Sequence, residues 1–230
     1  MKDDVKEKVE QEIDGWKYME ELPGEWHGFV LSCEKQVVED RYELYRYANE
    51  NRHRSISVYY HEETHEYKVR TAIGLIEFCR IEFITGKFSV FEELLRLHFE
   101  PLLRDMAAFN PKTVTSLLLD KGIMEWQYGR DLPQEIEGFQ LFSRPCEPIR
   151  IANGSYIIFD YVDFAMESNF NIYYNIFRDE FFGESRVRNI PEVTYAFDST
   201  ELIELEEKLK NHMVAYLKEI RKKAEGGALK

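Results

Sequence analysis

Residues 16–31 read WKYMEELPGEWHGFVL, and residues 126–141 read WQYGRDLPQEIEGFQL. Trp16, Tyr18, Leu22, Pro23, Glu25, Gly28, Phe29 and Leu31 recur as Trp126, Tyr128, Leu132, Pro133, Glu135, Gly138, Phe139 and Leu141, so eight of sixteen positions are identical at an offset of 110. Past Glu34 the offset becomes 114, and Tyr42, Tyr47, Tyr59, Tyr60, Phe83, His98 and Leu103 meet Tyr156, Tyr161, Tyr173, Tyr174, Phe197, His212 and Leu217 in unbroken order. Solenoid units run to about 50 residues at most, so a period this long reads as two whole small domains of one fold. The expectation is an α+β tandem duplication of a roughly 105-residue unit, each copy an antiparallel meander sheet flanked by an N-terminal and a C-terminal helix. The boundaries read as residues 1–109 for the first repeat, 110–223 for the second and 224–230 for a flexible tail.

Periodicity fills in each copy. Val5, Val9, Ile13 and Trp16 form one stripe of a helix over residues 3–19. Short runs rich in aromatic and β-branched residues predict strands over 28–33, 42–48, 55–60, 67–71 and 78–84, with turn formers between them. Ser89 with Glu92 three residues on reads as a capping box opening a helix through Leu94, Leu95, Leu102 and Leu103, with a kink at Pro101. In the second copy a helix is expected over 113–124, strands near 138–143, 156–164, 170–176, 180–183 and 192–197, and a long amphipathic helix from Ser199 to about Lys223. Short links between successive strands predict hairpins, not the crossovers of a parallel sheet.

Composition narrows the function classes. The chain has 230 residues, 44% hydrophobic and 14% aromatic, ample for two cores without disulfides or metal. Its net charge of −13 divides as −8 over residues 1–110 and −5 over the rest, so acidity is general and disfavours nucleic-acid backbones and anionic lipid. Cys33, Cys79 and Cys146 are scattered at no metal-ligand spacing, which predicts reduced thiols and a cytoplasmic home. The charged N-terminus lacks an apolar core, and no apolar stretch approaches about eighteen residues, so neither a signal peptide nor a membrane span is expected.

One motif carries the spacing of known chemistry. His61-Glu62-Glu63-Thr64-His65 fits H-E-x-x-H, in which a helix presents two imidazoles to zinc and the intervening glutamate acts as general base. Strand-like residues flank it on both sides, however, so residues 59–69 are expected to form a hairpin and the protein to carry no stoichiometric zinc or other cofactor. The aligned segment Asn175-Ile176-Phe177-Arg178-Asp179 contains no histidine. His98 and His212, matched between the copies, read as structural residues at the edge of a core. Arg41, Arg46, Arg52 and Arg54 interleave with Tyr42, Tyr45 and Tyr47 in the manner of a stacking surface for single strands. Their aligned positions are Ser155, Asp160, Met166 and Ser168, so a charged hairpin is the better account. Trp16, Trp126 and their Leu-Pro segments, shared by both copies, read as core and strand-entry residues.

The function expected from these residues is non-enzymatic: binding of another protein through an acidic surface, in an adaptor, chaperone-like or toxin-neutralising role. The alternatives are a zinc-dependent hydrolase using His61, Glu62 and His65, and a small-ligand binder in a groove between the repeats. No nucleic-acid or membrane partner is expected, and the oligomeric state is open.

Overall fold

A computed structural model of the chain describes residues 2–152 and 154–226. It is an α+β protein with two antiparallel sheets of seven strands each and a few helices. The chain divides into two compact units, residues 1–108 and 109–230.

In the first unit, α1 (Asp3–Glu12) and α2 (Lys17–Glu21) precede strands β1 (Glu25–Trp26), β2 (Phe29–Ser32), β3 (Gln36–Val38), β4 (Arg41–Asn49), β5 (Arg54–His61), β6 (Glu66–Ile73) and β7 (Ile76–Thr85), and α3 (Phe88–Ala107) closes it. The strand order is β1-β2-β4-β5-β6-β7, with β3 also pairing β4. The second unit starts with α4 (Ser116–Asp120) and α5 (Gln127–Arg130). Strands β8 (Glu135–Ile136), β9 (Phe139–Ser143), β10 (Ile149–Arg150), β11 (Ser155–Asp163), β12 (Ser168–Asn175), β13 (Glu180–Val187) and β14 (Ile190–Ser199) follow, then α6 (Leu202–Gly226). Its order is β8-β9-β11-β12-β13-β14, with β10 also pairing β11.

The correspondence extends to register. Tyr60 faces Tyr67 where Tyr174 faces Phe181, and the pairing slips between Glu43 and Tyr45 on β4 as it does between Ile157 and Phe159 on β11. A second slip falls between Tyr67 and Val69 on β6 and between Phe181 and Gly183 on β13. The left-handed backbone positions recur too: His27 with Glu137, His53 with Glu167, and His65 with Asp179. These are unlike side chains on like turns, so strand geometry, not residue identity, imposes the conformation.

Alternation along the strands decides which side chains enter the cores. Trp16, Phe29, Val58, Phe83 and Leu103 are buried in the first unit, and Trp126, Phe139, Ile172, Phe197 and Leu217 in the second. The Leu-Pro segments have a further use, because Tyr47 donates its hydroxyl to the Pro23 carbonyl at 2.6 Å and Tyr161 to that of Pro133 at 2.7 Å.

Helix boundaries depart from the sequence reading. The expected helix over 3–19 breaks at residues 13–16, where Gly15 takes a left-handed conformation and Trp16 turns inward. The expected helix over 113–124 is also broken, into 3₁₀ turns at Pro111–Thr113 and Ile123–Glu125 around α4. Ser89 caps nothing: α3 begins at Phe88 after Lys87, with no side-chain cap bond, and it continues through Pro101. Strands β1, β3, β8 and β10, two or three residues long, fall below the length at which alternation is readable. Helix α6 runs through Gly226, so residues 224–226 are helical, and the remainder of the expected tail lies outside the described residues.

Candidate functional site

The β5–β6 turn gathers the donor groups that the sequence singled out. His61 ends β5, Glu66 starts β6, and residues 62–65 turn between them, so the helix that H-E-x-x-H chemistry requires is replaced by a hairpin. Glu62 accepts the backbone amide of Lys2 at 2.9 Å, which holds its carboxyl below the usual range and ties the N-terminal segment to the turn. His65 sits in a left-handed conformation, with Nδ1 3.4 Å from the Tyr60 hydroxyl. These two residues are thus separately occupied.

His61 instead joins Asp40, from the turn between β3 and β4, and Glu63. One ligand atom from each of Asp40, His61 and Glu63 lies within 4.8 Å of the others. His61 Nε2 is 3.0 Å from Asp40 Oδ2, with side-chain exposures of 18% and 42%, so the imidazole is the sheltered member. Its Nδ1 lies 3.0 Å from Thr64 Oγ1 and 3.3 Å from the Thr64 amide nitrogen. A shallow depression beside the group is lined by Lys2, Val5, Asp40, Glu62, Glu63 and His65. The sequence reading found His61 from its motif but missed Asp40 and Glu63, because no pattern links Asp40 to a motif more than twenty residues away.

The equivalent turn of the second unit is built differently. Glu62 N–H donates to Asp40 O at 2.9 Å, and Ile176 N–H donates to Gly154 O at 2.9 Å, which aligns Asp40, His61 and Glu63 with Gly154, Asn175 and Phe177. Asn175 Oδ1 accepts from the amides of Phe177 and Arg178 at 2.9 and 3.1 Å, and its Nδ2 donates to Ser155 Oγ at 2.8 Å. The Phe177 ring lies where a side chain on Gly154 would have to go. The fold therefore requires a capped turn here and leaves its chemistry to each unit.

The other candidates resolve into structural roles or exposed positions. His98 and His212 are exposed on their helices, and the His98 ring lies edge-on to that of buried Phe83, with centres 6.3 Å apart. Arg52 and Arg54 donate to the carbonyls of Ala107 and Met106, the latter at 2.7 Å, completing the last turn of α3. Arg41 and Arg46 meet Glu39 and Glu50 at 3.2 and 3.9 Å, while Tyr42, Tyr45 and Tyr47 are buried. No stacking surface is left by that arrangement.

Two further features had no signal in the sequence. Asp160 on β11 is 1% exposed; its Oδ1 accepts from Asn169 Nδ2 at 2.9 Å, while its Oδ2 has no hydrogen-bond partner. Burial pushes its carboxyl up to about 7, against the opposing effects of the Asn169 bond and the Arg186 charge. Strand β14, at one end of its sheet, exposes Ile190 by 67%, Val193 by 67% and Tyr195 by 80%. Strand β7, in the equivalent place on the first sheet, carries Glu77, Arg80 and Glu82 in ion pairs, with Glu77 meeting Arg70 at 2.6 Å and Arg80 meeting Glu82 at 2.7 Å.

Among the described residues, no helix is long and apolar enough to cross a membrane. In comparisons with known proteins, no family model, no curated protein and no solved structure matches the chain.

Proposed function

We propose that this chain is a cytoplasmic, non-enzymatic protein built by tandem duplication of one α+β unit, and that it binds another protein through an acidic surface. The observation that carries the binding role is the β14 edge, an apolar stretch on a chain whose general acidity supplies the charged surface around it. An unpaired edge strand presents a row of backbone donors and acceptors, and proteins that do not use such an edge blunt it with charge. Strand β7 is charged in that manner beside its exposed Ile81, whereas from Ile190 to Phe197 strand β14 has Pro191 near its start and one charged residue, Glu192, whose carboxylate is held by Lys223 at 2.9 Å. Exposed Ile190, Val193 and Tyr195 on such an edge suit an extended segment of a partner, adding main-chain hydrogen bonds and apolar contacts. The net charge of −13 favours a basic partner.

The test is capture from host-cell lysate by the immobilised chain, beside a Val193→Lys/Tyr195→Lys double variant, followed by association kinetics with the recovered protein. The expected result is a partner lost with the variant, whose association slows as salt rises from about 0.05 to 0.5 M and the screening length falls from about 14 to about 4 Å. Equal capture by the variant rejects the β14 mechanism, and a salt-independent on-rate rejects the acidic-surface reading. Turnover of a peptide or ester that Glu62→Gln abolishes without unfolding would reject the non-enzymatic reading.

A further inference from the structure

We infer that Asp40, His61 and Glu63 form an exchangeable binding site for a divalent transition-metal ion, with zinc the best match. The inference is independent of the protein-binding role and starts from donor geometry. Zinc binds imidazole nitrogen and carboxylate oxygen at about 2.0–2.2 Å, so two ligand atoms on one tetrahedral ion stand about 3.4 Å apart. The three donor atoms already lie within 4.8 Å of one another, and side-chain closure of no more than about 1.4 Å brings them to that spacing. They come from three chain positions, the β3–β4 turn, the end of β5 and the β5–β6 turn, so the sheet, not a local run of acids, brings them together.

The imidazole supplies the second argument, because Thr64 serves either of its tautomers. Its amide can donate to a bare Nδ1, or its hydroxyl oxygen can accept from Nδ1–H at 3.0 Å. In the second case the lone pair of Nε2 faces Asp40 Oδ2 across 3.0 Å, an arrangement in which the two can share a cation. Fixing a ligating histidine through its other ring nitrogen is the usual outer-shell arrangement of metal sites. A mixed nitrogen and oxygen donor set selects zinc, nickel or copper over calcium or magnesium, which take oxygen ligands. Two carboxylates balance the charge of the ion, and water completes the tetrahedron. Glu62 and His65, the remaining ligands and base of the H-E-x-x-H pattern, lie outside the group.

The experiment is a calorimetric titration of the full chain, freed of metal by chelator and dialysis, with zinc sulfate. The result expected is one saturable site per chain, weakened about tenfold or more by His61→Ala, Asp40→Asn and Glu63→Gln, and unchanged by His65→Ala or Glu62→Gln. Circular dichroism confirms folding, and Asp40→Asn, which preserves side-chain size, decides the matter if His61→Ala unfolds the hairpin. Cobalt substituted for zinc should give the intense visible absorption of a tetrahedral centre. Absence of saturable binding, a stoichiometry far from one, or affinity that ignores all three substitutions overturns the site. Loss of binding with His65→Ala overturns the ligand set.

Discussion

Strand β4 carries Arg46 where β11, in the same register, carries Asp160, and the two residues have opposite fates. Arg46 reaches toward Glu50 at 3.9 Å with 43% of its side chain exposed, whereas Asp160 is 1% exposed beside Asn169. The surroundings differ in the same way: Ser55 and Ser57 on β5 stand where Asn169 and Asn171 stand on β12. The helix-facing sides remain alike, with Phe83 and Phe197 both fully buried. One backbone thus supports two chemistries, because the helix-facing side is constrained by volume and the opposite side by polar pairing as well.

The largest expected effects break the helix-facing likeness. Phe83→Ala and Phe197→Ala should each cost about 3–5 kcal/mol, read from urea unfolding, because each removes a fully buried ring. A cost below about 1 kcal/mol at either position would show that the two cores are not equivalent there.

The polar sides should separate next. In the folded chain the Asp160 carboxyl holds its proton to about pH 7, against an ordinary value of 3.8, so folding becomes less favourable as pH rises through that window. At pH 8 the penalty reaches about 4 kcal/mol at most, and below both values it vanishes. Asp160→Asn should therefore stabilise the chain at pH 8 and leave stability unchanged near pH 3, whereas Arg46→Asn, on an exposed and weakly paired side chain, should change little at either. A pH-independent effect of Asp160→Asn would disprove the buried-acid account.

A smaller difference tests the matched tryptophans. Trp126 Nε1 donates to Glu206 at 2.8 Å, whereas Trp16 Nε1 is buried without a partner and Glu92, the equivalent acid, is taken by Arg96 at 2.8 Å. Trp126→Phe should accordingly cost about 1 kcal/mol more than Trp16→Phe, as measured by denaturant midpoints. Equal costs would show that the Glu206 bond contributes no net stability.

The sequence by itself determined the α+β class, the antiparallel hairpin style of the sheets and the positions of the core residues. Hydrophobic alternation and the offset of 110 to 114 are properties of the chain, and a sheet register follows from them once one face must be buried. Tertiary structure decided the rest. Whether the stripe from Val5 to Trp16 is one helix or two depends on Trp16 entering the core at the Gly15 break, a competition that local periodicity does not encode. The partnership of Asp40 with His61 exists only because β4 and β5 are neighbours, with Arg41 opposite His61. Burial of Asp160, inside a run of residues that reads as an ordinary strand, is likewise a fact of packing. Distances along a chain fix which faces its residues share, but only folding sets which charges are paired, stranded or drawn close enough to hold an ion.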